Sequence, residues 1–133
     1  MKDRELDYLR AWIRKGDNDL KNVELILKSQ DEDSPYDTVC FHCQQAVEKY
    51  LKAFLTAKGV KFPMTHNLAD LIAKCAVLNK SFLNIEIEAE LLTPYSVEVR
   101  YPDDFYRPSR KDAEEAYNTA MKIKDFVLKR MNV

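Results

Sequence analysis

An all-α fold is predicted by three features of this 133-residue chain. Apolar residues recur at steps of three and four almost throughout, only two glycines and five prolines interrupt them, and those lie between the helical patterns or near their ends except for Gly16. The expected architecture is an antiparallel up-and-down four-helix bundle with one additional short helix, in a single domain over residues 1–133. At this length a chain buries roughly 70% of the surface it exposes when unfolded, enough for its own core.

Each element follows from the same reading. Leu6, Leu9, Ile13, Gly16, Leu20, Val23 and Leu27 form one seam and predict a first helix over residues 3 to 29. Gly16 lies in that seam, where it serves either a close approach by a neighbouring helix or a bend with Asp17. After the polar stretch Gln30-Asp31-Glu32-Asp33, Ser34 is a candidate cap with Pro35 in the first helical position and Asp37 in the third. The second helix should run from there to Lys58, stopped by Gly59 and by Pro63 beyond it.

A third, shorter helix is expected after Thr65 as its N-cap, carrying Leu68, Leu71, Ile72, Cys75 and Leu78. A fourth begins near Ser81 with Phe82, Ile85, Ala89 and Leu92. Thr93-Pro94 must then break or restart it, with a helical turn continuing to about Val99. Ser109 and Asp112 form a capping box for the last helix, whose seam is Ala113, Ala116, Ala120, Ile123 and Val127.

The second helix concentrates the information about function. At about 100° per residue, Tyr36, Cys40, Cys43, Val47, Tyr50 and Phe54 share one side, whereas Gln45, Glu48, Lys49 and Lys52 share another. The first set reads as core and the second as a site or an interface.

Composition excludes several classes. Lys and Arg total 21 against 22 Asp and Glu, so no global basic field exists to drive nonspecific nucleic-acid binding, and a phosphate partner must be met by a local patch. No apolar run approaches the roughly 20 residues of a membrane span, and the charged start is unlike a signal peptide, so a cytoplasmic location is expected. Three cysteines is an odd number, and reduced thiols packed in the core are the simplest account of them. Cys40, His42 and Cys43 lack metal-ligand spacing on a helix, and neither histidine follows a glutamate by three residues as a di-metal bundle requires. No cofactor is expected.

Two further places carry chemistry. His66 beside Thr65 falls near a helix N-terminus, where exposed amides favour an anion; alternatively it hydrogen-bonds across the connection from Gly59 to Thr65. Arg100, Arg107, Arg110 and Lys111, interleaved with Tyr101, Phe105 and Tyr106, mix cations with aromatics as single-stranded nucleic acid or nucleotide binding requires. The alternative is an ordered loop that closes the bundle end, with Arg100 paired to Glu48 or another carboxylate.

In order along the chain, Ala11, Asp19-Leu20, then Phe41-x-x-Gln44-Gln45-Ala46-x-Glu48-Lys49-x-Leu51-Lys52-Ala53, then Thr65-His66-x-Leu68, then Arg100-Tyr101-Pro102-Asp103 resemble the HEPN domain family. The resemblance implies a helical bundle that often dimerises. It also implies, for a small prokaryotic member, a minimal nucleotidyltransferase partner in a toxin–antitoxin-like pair. Many members are metal-independent ribonucleases whose signature is Arg, four to six residues, then His. This chain departs from that signature, because the corresponding positions after Arg100 are Phe105, Tyr106 and Arg107. A tyrosine with an ordinary pKa near 10 is poorly matched to proton transfer at neutral pH.

The expected function is therefore binding of nucleotide or RNA phosphate by a homodimer in a cleft of Arg100, Tyr101, Gln45, Glu48, Lys49 and Lys52, with His66 a further member. Arg100 would clamp phosphate, Lys49 and Lys52 would add charge, Gln45 would orient a polar edge and Tyr101 would stack on a base. A ribonuclease toxin with an atypical site and a structural adaptor are the alternatives.

Overall fold

In a computed structural model, which describes residues 3–29, 31–62, 64–96 and 107–131, the described residues form helices and connections with no strand. Helix α1 spans Asp3–Leu27, α2 Tyr36–Ala57, α3 Leu68–Leu78, α4 Glu86–Glu90 and α5 Arg110–Lys129. Two 3-10 segments, Lys80–Ile85 and Thr93–Tyr95, flank α4. The expected helical bundle is what forms, with α2 as its centre: α1, α3 and α5 all pack against it. Its core stripe, Tyr36, Cys40, Cys43, Val47, Tyr50 and Phe54, is buried, as are Ala113, Ala116, Ala120, Ile123 and Val127 on α5.

The α1 helix is continuous through Gly16, which decides between the two roles open for that residue. A Cβ there would lie 2.9 Å from the ring of Tyr50, so the glycine permits close approach of α1 to α2. The Tyr50 hydroxyl donates to Asp17 Oδ1 at 2.5 Å, and Lys124 of α5 meets the same oxygen at 2.9 Å. Three helices thus converge on one carboxylate. Phe82 packs between Phe54, tilted at 4.5 Å between ring centroids, and Phe126, edge to face at 5.3 Å, fastening the 3-10 segment to α2 and α5.

Helix ends depart from expectation in two places. Ser34 does not cap α2; its hydroxyl donates to the Asp31 carbonyl at 2.8 Å, and the cap residue is Pro35 with no side-chain bond. The α3 cap is Asn67, not Thr65: Asn67 Oδ1 accepts from the Ala69 amide while Thr65 Oγ1 accepts from the Asn67 amide. A turn of side-chain-capped loop therefore precedes α3, and the helix starts two residues later than expected. Gly59, with φ of 68°, ends α2 in the left-handed conformation, and Ser109 with Asp112 forms the reciprocal box at α5. The segment expected as a fourth helix divides at Ile85 into 3-10 and α-helical parts, and Pro94 sits in the second 3-10 turn.

Candidate functional site

Gln45, Glu48, Lys49 and Lys52 do share one face of α2, but that face is largely covered. Glu48 is 3% exposed and Lys52 8%, because α1 and the connection before α3 lie over them. An isolated charge in such a place would be costly, so each must be paired. Glu48 Oε2 accepts from Lys52 Nζ at 3.0 Å, one helical turn on, and Oε1 meets His66 Nδ1 at 2.9 Å. The Lys52 ammonium also lies 5.4 Å from the centroid of Trp12 and 5.8 Å from that of Phe62.

The same turn of α2 grips the backbone of the connection. Gln44, fully buried, donates through Nε2 to the His66 carbonyl at 3.0 Å and accepts through Oε1 from Gln45 at 2.8 Å. His66 is thereby held by both its main chain and its ring, while its side chain remains 70% exposed. The contact reaches α2 itself, beyond the connection that sequence reasoning considered for it.

A second carboxylate repeats the pattern. Asp19 of α1 is 6% exposed; its Oδ1 meets His42 Nδ1 at 2.8 Å and its Oδ2 accepts from Lys49 Nζ at 2.5 Å. Each carboxylate therefore holds one histidine by Nδ1 and one lysine. An ionised carboxylate only accepts, so Nδ1 carries the proton and, in the neutral ring, Nε2 is the basic nitrogen. Its lone pair can take a proton, and the charged ring can instead donate to a phosphate oxygen.

Of the residues named from sequence, Lys52 and His66 each meet Glu48, Gln45 adjoins them through Gln44, and Lys49 turns to Asp19. Arg100, Tyr101, Phe105 and Tyr106 lie outside the described residues. Arg110, grouped with them by composition, binds elsewhere: it donates to the carbonyls of Leu27 and Ser29 and to Glu114 and the Tyr36 hydroxyl. It closes the C-terminal end of α1, where carbonyls otherwise lack partners. Sequence reasoning did not single out Asp19, His42, Gln44 or Trp12 as members of a binding site. A carboxylate bordering the apolar seam at Gly16 and Leu20 was the available signal for Asp19.

Beside Trp12 a cleft of about 160 Å³ is lined by Tyr8, Ala11, Trp12 and Lys15, positions that share one face of α1. Tyr8 is 54% exposed and meets Trp12 edge to face at 5.9 Å. The three thiols are free and fully buried. Burial pushes Cys40 and Cys75 up to about 12, and Cys43 higher still. They are core atoms and not nucleophiles. Among the described residues no three His, Cys, Asp or Glu side chains converge as metal ligands.

A helical bundle centred on a Gln-Gln-x-x-Glu-Lys helix with a Thr-His element laid across it defines a class, and the HEPN domain model matches residues 9–131. The chain belongs to the HEPN family. It is similar to "Putative toxin MJ1304" of Methanocaldococcus jannaschii, at 27% identity over 92% of this chain and 90% of that protein. Two crystal structures resemble it. One is ST0689, described as an archaeal HEPN homologue, with a TM-score of 0.72 and 25% identity over 93% of this chain and 98% of that one. The other is TT1696 from Thermus thermophilus, at 0.74 and 28%, over 91% and 96%. No helix among the described residues is long and apolar enough to cross a membrane.

Proposed function

We propose that this HEPN protein binds RNA or nucleotide phosphate as a homodimer and forms one half of a toxin–antitoxin-like pair with a minimal nucleotidyltransferase. The observation that carries the binding reading is the pair of buried carboxylates, which hold Lys49 and His66 in fixed positions at the margin of the α2 face. Fixed polar groups bind a phosphate with less loss of side-chain freedom than loose ones. Each lysine is neutralised in part by its carboxylate, Lys49 by Asp19 and Lys52 by Glu48, and Lys49 is the more accessible of the two to a phosphate. Tyr8 and Trp12 supply rings on which a base can stack. Arg100 and Tyr101 complete the site in this reading.

A metal-independent ribonuclease is the second reading, favoured by the toxin name of the relative and by histidines whose basic nitrogens are set by carboxylates. One experiment separates the two. Labelled single-stranded RNA is incubated in chelator with the wild-type protein and with Arg100→Ala, Lys49→Ala and His66→Ala, and both retention and cleavage are followed by gel. Retention without cleavage, weakened in Arg100→Ala and Lys49→Ala, supports the binding protein. Cleavage lost in His66→Ala establishes the ribonuclease, and neither retention nor cleavage leaves an adaptor.

A further inference from the structure

The side of the molecule formed by α3 and α4 carries an apolar surface unused by the site above. Leu83, Ile87 and Leu91 recur every fourth residue through the 3-10 segment, α4 and the turn that ends it, and they are 53%, 75% and 62% exposed. Phe82, Ile85, Ala89 and Leu92 from the same stretch are buried, so the core requirement of this segment is already met on its other face. At the adjoining end of α3, Val77 and Leu78 are exposed as well. Large apolar side chains exposed at successive turns of one segment, on the side its core does not use, are the kind of surface that marks an interaction site on a monomer.

Charge decides what fits there. Glu86 and Glu90 run along one side of the stripe and Glu88 along the other. Glu88 is paired with Lys122 at 2.9 Å, whereas Glu86 and Glu90 are exposed and form no ion pair among the described residues. Carboxylates thus border both sides of the stripe, so a second copy meeting this face through a two-fold axis would set carboxylates against carboxylates in either orientation of the axis. Like charges at a desolvated margin disfavour that pairing. RNA is disfavoured by the same carboxylates.

We propose that the Leu83–Ile87–Leu91 face is a docking site for a different protein, one presenting an amphipathic helix whose apolar residues are bordered by lysine or arginine. The apolar side chains supply the buried centre of the contact and Glu86 and Glu90 its polar margin.

Two fluorescent helical peptides test this, both with leucines spaced to match the stripe, one bordered by lysines and the other by glutamates. Anisotropy titrations use the full chain, Ile87→Glu, and the double variant Glu86→Lys with Glu90→Lys, all checked for native helicity by circular dichroism. The expected result is that only the lysine-bordered peptide binds the wild type. Its affinity should fall at least tenfold in Ile87→Glu, and the double variant should switch preference to the glutamate-bordered peptide. Equal binding of both peptides, or unchanged affinity in Ile87→Glu, overturns the proposal. Sedimentation of the wild type and Ile87→Glu provides an independent check. A mass unchanged by the substitution agrees with a heterologous partner, and loss of a dimer in Ile87→Glu would instead make the face a self-interface. The readout is separate from RNA retention, so failure here leaves the RNA-binding reading standing, and the converse holds.

Discussion

Glu48 and Lys52 have the sequence appearance of surface charges, one turn apart on a helix, yet together they form a buried ion pair closed over by Trp12, Phe62 and His66. Removing one partner of such a pair leaves the other uncompensated. Glu48→Ala is expected to lose about 3–5 kcal/mol of stability in urea denaturation, far more than an exposed pair would. Equal loss in Glu114→Ala, whose pair with Arg110 is at the surface, would contradict that account. Gly16 provides a second residue-scale prediction. Alanine gains about 1 kcal/mol of helix propensity, but its Cβ must displace the Tyr50 ring, which is fully buried and anchored on Asp17. Overpacking typically costs about 1–3 kcal/mol, so Gly16→Ala should lower the thermal midpoint despite the better helix former.

Among the elements, α5 shows most directly how local chemistry sets a boundary. The Ser109 hydroxyl accepts from the Asp112 amide at 3.1 Å while the Asp112 carboxylate accepts from the Ser109 amide at 2.9 Å. Ser109→Ala should destabilise the protein by about 1 kcal/mol, measured as a shift in the urea midpoint. Arg110, the next residue, reaches across to the Leu27 and Ser29 carbonyls. Replacing it with alanine should speed amide exchange at the end of α1 and in the following connection, with α3 unaffected as the internal control. The caps of α5 were readable because both partners lie within four residues. Those of α2 and α3 were misplaced because Ser34, Thr65 and Asn67 each have several backbone groups in reach, and the chain path selects among them.

Over the whole molecule, burial of the three thiols couples stability to alkaline pH. Their native pKa values are raised above the ordinary 9.0 by burial, so the folded state retains protons that the unfolded state releases. Stability is therefore fully present below pH 9 and is lost as pH rises from there toward 12, by up to about 1.4 kcal/mol per unit for each thiol. A thiol reagent at pH 8 should leave all three unreacted in the native protein and label all three in denaturant. Rapid native labelling would place at least one thiol at the surface.

The all-α class, the seams of α1 and α5 and the core stripe of α2 were legible along the chain, because an amphipathic period records which side of a helix meets its neighbours. The family was legible in the second-helix motif. The pairing of Asp19 with His42 and Lys49, and of Glu48 with Lys52 and His66, was decided by tertiary structure. Helical spacing shows that charged residues share a face. Whether that face is open to water or covered by α1 and a loop depends on how separate segments pack, and burial is what turns those charges from solvated side chains into obligatory partners.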